Sequence, residues 1–265
     1  ARQALLDGMA EEAAGRGNPF KYGFWGDTDT HNAAASHEES NYTGKFAVEN
    51  DAKFRMEGAP GQPPAQHKQI MEFSSGGLTG VWAEKNTRGA IYDATLRKES
   101  FATSGPFMKV RLFAGWDFAA ADLGAGLAKA GYARGVPMGG DLKGSGKAPT
   151  FLVSAIKDPK SGNLDRVQIV KGWIDAAGKQ HERVYDVAWA GDRKVGGNGK
   201  LPAIGSTVDP KTAQYTNTIG AAELSAVWTD PSFDPSQRAF YYARVLEIPT
   251  PRWSTYDAVK LGVAV

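Results

Sequence analysis

The spacing of apolar residues changes character once along the chain, near residue 105. Leu5, Leu6, Met9, Ala10 and Ala13 follow an i, i+3/i+4, i+7/i+8 stripe, which predicts a helix over residues 2–14 closed by Gly15 and Gly17. Asn18-Pro19 resets the chain. The apolar-aromatic run from Phe20 to Trp25 then predicts a short buried strand ending at Gly26. Residues 44–70 carry no clear period, and Gly58-Ala59-Pro60-Gly61-Gln62-Pro63-Pro64 suits neither a helix nor a central strand. This region is expected to be a long irregular loop. Leu78 to Ala83 reads as a strand. Thr87 to Lys98 reads as a helix, with Asn86 or Thr87 as N-cap and Ala90, Ile91 and Ala94 on one face.

Beyond Thr103-Ser104-Gly105-Pro106 the runs become β-branched and aromatic. Val110 to Phe113, Thr150 to Ile156, Val167 to Val170, Arg183 to Val187 and Ala239 to Glu247 are separated by turns such as Asp158-Pro159-Lys160-Ser161-Gly162-Asn163 and Gly196-Gly197-Asn198-Gly199. Short strands at irregular spacing favour an antiparallel sandwich; only Ala119 to Gly131 suggests a short helix. The chain therefore divides into an α/β part, residues 1–105, and a β-rich sandwich-like part, residues 106–265. No internal repeat is present.

Composition narrows the function classes. A chain of 265 residues with a hydrophobic fraction of 42% can bury a sizeable core, and its mean hydropathy of −0.39 is ordinary for a soluble globular protein. Lys and Arg number 31 against 29 Asp and Glu, a net charge of +2, so no basic excess points to nucleic acid. No stretch approaches the roughly 18 apolar residues of a membrane span. The absence of cysteine excludes disulfides, thiolate metal sites and a cysteine nucleophile. Arg2 to Leu6 reads as the interior of a helix with no targeting signal before it, so a chain lacking its upstream part is expected.

The chemistry concentrates in Asp27-Thr28-Asp29-Thr30-His31-Asn32, directly after the predicted strand. A helix, a buried strand and a polar loop form the order of a β/α barrel, whose active face lies at the strand C-termini. In an extended segment Asp29 and His31 point to one side. Together they offer a hard oxygen and a borderline nitrogen suited to Zn²⁺, Mn²⁺ or Fe. Asn32 could orient a ligand and Asp27 adds negative charge that a cation would balance. A capping aspartate and a surface histidine are the competing reading. Two ligands are too few for a zinc site; His37, Glu38 and Glu39 are the local candidates to complete it, against a solvated helix start after Ser36. His67 and His181 are expected to be exposed and inert. Ser104 lacks the Gly-x-Ser-x-Gly setting of a nucleophile elbow. Gly139-Gly140-Asp141-Leu142 and Gly144-Ser145-Gly146-Lys147 lack full P-loop spacing and read as glycine turns. The aromatic set Trp228, Phe233, Phe240, Tyr241, Tyr242 and Trp253 reads as sandwich core.

The run Lys21 to Asn32 resembles the final metal-binding motif of the polymerase and histidinol phosphatase (PHP) superfamily. More closely, the chain resembles the C-terminal part of a bacterial family within that superfamily described as a domain of unknown function, DUF3604. The resemblance is carried by Asn18 to Asn32, Gly77 to Glu84 with Thr87-Arg88, Thr103 to Pro106, Gly135 to Leu142, Asn163 to Arg166 with Lys171 to Trp173, and Arg238 to Trp253. It implies the C-terminal part of a distorted β/α barrel followed by the sandwich-like domain, and a metal-dependent hydrolase of phosphoesterase type. It also implies more than one divalent ion in the complete protein, with Asp29 and His31 as ligands. The other metal motifs, including a His-x-His, would lie on the missing N-terminal part or a partner chain. A small anionic substrate and export to the periplasm are compatible with it. One departure stands out: after Gly105-Pro106 a basic residue is expected, and this chain has Phe107. The alternative reading is a non-catalytic binding or assembly module.

Overall fold

The computed structural model describes residues 2–264. Helix α1 (Arg2–Ala13) forms where the stripe predicts it, and Gly15 and Gly17 come next with φ of 78° and 79°, a left-handed backbone that glycine adopts without a steric cost. Residues 19–30, however, form no strand. Instead of a ladder, the segment is held by side-chain hydroxyls. The Thr79 hydroxyl accepts from Gly26 N–H at 2.9 Å and donates to Gly26 C=O at 2.7 Å, and Ser100 Oγ donates to Phe24 C=O at 3.1 Å. The density of aromatic residues also misleads about burial. Phe24 packs on Tyr242 at 5.1 Å between centroids, while Tyr22 is exposed and Trp25 is 60% exposed.

The expected long loop holds two helices, α2 (Ala52–Glu57) and α3 (Pro64–Glu72). Pro64 occupies the first turn of α3, where its missing N–H and fixed φ cost nothing; between the two helices only residues 58–63 are loop. Next come β1 (Leu78–Val81), α4 (Arg88–Leu96) and β2 (Ser100–Thr103). Thr87 caps α4 by accepting from Ala90 N–H, as its sequence position suggests. Strands β1 and β2 pair antiparallel in a two-stranded sheet. Thus, of the barrel implied by the resemblance, the described residues up to 105 contain one antiparallel strand pair, joined through α4, and helices.

The remainder comprises β3 (Lys109–Gly115), α5 (Leu127–Arg134), β4 (Gly135–Pro137), β5 (Thr150–Ile156), β6 (Leu164–Ile174), β7 (Gln180–Trp189), β8 (Glu223–Thr229), β9 (Arg238–Glu247) and α6 (Trp253–Leu261). The strands form two antiparallel sheets, ordered β4-β3-β5-β8 and β7-β6-β9. Alternation explains the layers. Phe151, Val153 and Ala155 point from β5 toward Val167 and Ile169 of β6, with Tyr241, Ala243 and Val245 of β9 beside them. Leu152 points the other way, joining Phe113, Phe118 and Leu127 beneath α5. The far face of β6 and β9 presents Ile174 and Phe240 to Leu6 and Met9 of α1. With helices outside, inner strands are buried on both faces and read as continuous apolar runs.

Both ends of the chain cross the position near residue 105. Helix α1 lies on the second sheet. Helix α6 packs on the N-terminal helices: Trp253, 1% exposed, stacks near Tyr42 and donates from Nε1 to Phe73 C=O at 2.7 Å. Its backbone N–H donates to Glu39 Oε2 at 2.7 Å. Arg55 of α2 and Asp257 of α6 form a two-bond pair of 2.8 and 2.9 Å. Among the described residues, no helix is long and apolar enough to cross a membrane.

Candidate functional site

Asp29 and His31 do meet, although not as neighbours on an extended strand. Asp29 has φ of 50°, in the left-handed region that Asp tolerates better than most residues. This kink brings its Oδ1 to 3.2 Å from His31 Nε2. Both side chains are exposed. The loop is fixed from across the fold: His31 N–H donates to Lys45 C=O at 2.8 Å, and the His31 ring lies against Phe46 at 5.2 Å.

Lys45 is the site residue that sequence reasoning missed. Its ammonium pairs with Asp29 Oδ2. That hydrogen bond, with a smaller contribution from the one to His31, holds the Asp29 carboxyl below the usual carboxylate range. Lys45 sits in the stretch without a clear apolar period, and only the folded chain brings it to Asp29. The loop carrying it is organised by Glu49, 1% exposed, whose Oε2 accepts from Lys45 N–H at 2.8 Å and Phe46 N–H at 3.2 Å.

The other predicted residues have separate partners. Asn32 stitches two loops: its Nδ2 donates to Thr43 C=O, Gly44 C=O and Asn50 Oδ1, and its Oδ1 accepts from Ala34 N–H. Asp27 Oδ1 accepts from Thr28 N–H at 2.6 Å. His37 Nδ1 lies 3.1 Å from Gly105 C=O, with Phe107 packed edge-on against the ring at 4.9 Å. Phe107, found where a basic residue is expected, thus covers His37. Glu38 is exposed and engages Ser36 through its backbone. No hydrogen bond links His37 or Glu38 to Asp29 or His31; Glu39 is spent on Ser75 and Trp253. His67 and His181 are half-buried rather than exposed: His67 Nε2 lies 3.2 Å from Arg55 C=O, and His181 Nε2 lies 2.7 Å from Asp175. Among the described residues, no group of three or more His, Cys, Asp or Glu side chains is placed to hold a metal ion.

Asp27, Asp29, Lys45, Ser75 and Ser104 line an open cleft of about 310 Å³. Close backbone packing shapes it. Gly44, which lines it with φ of 78°, leaves no room for a Cβ, which would meet Glu49 Cβ at 2.4 Å.

A strongly perturbed carboxyl lies elsewhere. Burial pushes Glu247 up to about 7, against a smaller opposing hydrogen bond from Ser161, and its Oε1 has no partner. The folded state therefore binds this proton at pH values where the unfolded chain has released it. The associated stability is complete below about pH 4 and is lost as pH rises through about 7. Glu247→Gln is expected to raise Tm at pH 8 and leave it unchanged at pH 4; equal shifts at both values in thermal unfolding would contradict this origin.

The fold and site define a mixed α and antiparallel-β protein with a polar loop cleft beside a two-sheet sandwich. A family model described as "Protein of unknown function (DUF3604)" matches residues 1–265, and the chain belongs to that family. No curated protein and no solved structure matches it.

Proposed function

We propose that this chain supplies one metal-ligand pair, Asp29 and His31, to a divalent-metal hydrolase of phosphoesterase type. Residues outside this sequence, on an upstream part of the same protein or a partner chain, would supply the remaining ligands. The observation carrying this reading is the 3.2 Å separation of Asp29 Oδ1 and His31 Nε2. Two donors at about 2.1 Å from a tetrahedral ion lie about 3.4 Å apart, so the separation of the pair suits one shared ion in place of their mutual hydrogen bond. As a pair it fits only half a centre. In the superfamily reading, residues 19–30 would lie at the barrel's last metal motif, alongside the β1-β2 strand pair.

When bound, the ion would supply Lewis acidity toward a phosphoryl oxygen. The chain's own contribution is positional. Asn32 and Glu49 fix the two loops, and Lys45 neutralises Asp29 and could then pair with an anionic substrate in the same cleft. A specific observation favours a second reading: Lys45 already satisfies the carboxylate, as in a structural clasp within a binding or assembly module.

Metal content separates the two. In the longest natural chain containing these residues, Asp29→Ala and His31→Ala are each expected to lower zinc, manganese or iron occupancy at least ~10-fold, with parallel loss of phosphoesterase activity. Lys45→Met, which removes the competing cation, should retain or raise occupancy. Unchanged occupancy in both ligand variants would sink the metal reading and leave the clasp.

A further inference from the structure

A second cavity, sharing no lining residue with the Asp29 cleft, is bordered by residues of both sheets. It measures about 590 Å³ and lies between β3, β4 and β9, with residues 18–24 across one side. Leu112, Phe151, Tyr241, Trp116 and Met138 give it a largely apolar wall. This volume and lining fall in the range of small-molecule sites, which combine apolar walls with a few placed polar groups.

The placed group here is Lys171. By alternation it shares a face with Ile169 and Trp173, an inward position in β6 where an apolar residue is expected. Its side chain is 2% exposed and its partner Asp230 is 0% exposed. Lys171 Nζ donates to Asp230 Oδ2 at 2.6 Å and to Ser232 C=O at 2.7 Å. An ammonium carries three protons; two go to these oxygens, the ammonium also lies over the rings of Trp173 at 5.2 Å and Tyr241 at 5.8 Å, and no third oxygen acceptor is present although Lys171 lines the cavity. Asp230 is itself saturated by Tyr241 OH at 2.7 Å and Ser232 N–H at 2.9 Å.

Charge decides the ligand class. Lys171 is neutralised by Asp230, Lys21 by Asp141 at 2.6 Å and Arg238 by Glu12 at 2.9 Å. The other charged lining residues, Lys98 and Asp234, are opposite in sign. At the inner end, beside the buried Lys171–Asp230 pair and the apolar wall, an ionic ligand would add an unbalanced charge, which costs more than its hydrogen bonds return. We infer that this cavity binds an uncharged, mainly apolar molecule whose ketone or ester carbonyl accepts the unspent proton of Lys171. This site stands independently of the reading of Asp29 and His31.

The test is fluorescence titration of the longest natural chain with a neutral dimethylaminonaphthyl ethyl ketone dye. Its ketone-free naphthylamine and an anionic anilinonaphthalene sulfonate serve as comparators. The ketone dye is expected to bind one per chain with blue-shifted emission, about tenfold more tightly than the ketone-free amine. The sulfonate should bind more weakly than either. Ala114→Trp, which narrows the cavity without touching the ion pair, should weaken binding of both the ketone dye and the amine. Lys171→Met combined with Asp230→Asn removes both charges together while leaving Tyr241 an acceptor. It should erase the ketone preference and keep binding of the amine. Absence of saturable binding, a ketone preference that survives the double variant, or sulfonate binding equal to the ketone's would each overturn the proposal.

Discussion

Arg55→Met is expected to destabilise the fold by about 3–5 kcal/mol, the range for removing one member of a buried ion pair. Arg55 is 5% exposed and Asp257 is 10% exposed, so solvent cannot replace the lost partner. The guanidinium makes two parallel bonds to Asp257 and donates also to Glu49 C=O at 2.7 Å and Asn50 C=O at 3.1 Å. Arg is suited to this planar, forked task where Lys is not. The loss would strand a carboxylate on α6 and free two carbonyls near the loop that positions Lys45. Urea unfolding at pH 7 checks the magnitude, and limited proteolysis checks whether α6 detaches first. Arg55→Met with Asp257→Leu should recover much of the loss, because no charge is then left buried. A change under about 1 kcal/mol in the single variant, within the range of an exposed pair, would show that this contact does not hold the two ends together.

Lys171→Met is expected to cost a similar ~3–5 kcal/mol, again because the partner stays behind. Asp230 would keep its bonds to Tyr241 and Ser232 but lose its counter-charge at 0% exposure. Burial, and then the hydrogen bond to Asp230, already push the Tyr241 hydroxyl well above the ordinary tyrosine value. Adding Asp230→Asn should restore most of the stability, since an amide fills the position without charge. If single and double variants unfold at the same urea concentration, the pair is not coupled in this way.

These two pairs also mark the limits of what the sequence makes legible. Strands β3, β5 and β9 lie where their β-branched and aromatic runs predict, since both sandwich faces are covered and burial leaves an apolar signature. Strand β8 gives no such signal, because Glu223, Ser225 and Thr229 interrupt a modest apolar set on a sheet edge. The Gly/Pro-rich stretch before α3 reads as a helix breaker, yet its last proline, Pro64, begins the helix. The run from Phe20 to Trp25 shows that aromatic density does not equal burial: Phe24 turns inward while Tyr22 and Trp25 face out.

At the candidate site, Asp29 and His31 are legible as a converging pair, but the backbone reason is not. Their approach depends on a left-handed residue, where an extended segment is expected. Lys45 cannot be read from the sequence at all. Its pairing spans 16 positions through a loop whose shape is set by Glu49 and Asn32. Lys171 leaves a trace, as a charge sharing a face with Val167, Ile169 and Trp173, yet the identity of its partner requires the fold.

The role of Asp29 and His31 as ligands, rather than as a clasp with Lys45, is decided by bound metal. It is tested most directly by measuring bound zinc, manganese and iron in the longest natural chain containing these residues, beside Asp29→Ala, His31→Ala and Lys45→Met. Ligation predicts stoichiometric metal in the natural chain, at least ~10-fold less in both ligand variants, and no loss in Lys45→Met. Equal metal content in all four proteins, or none in any of them, would contradict it.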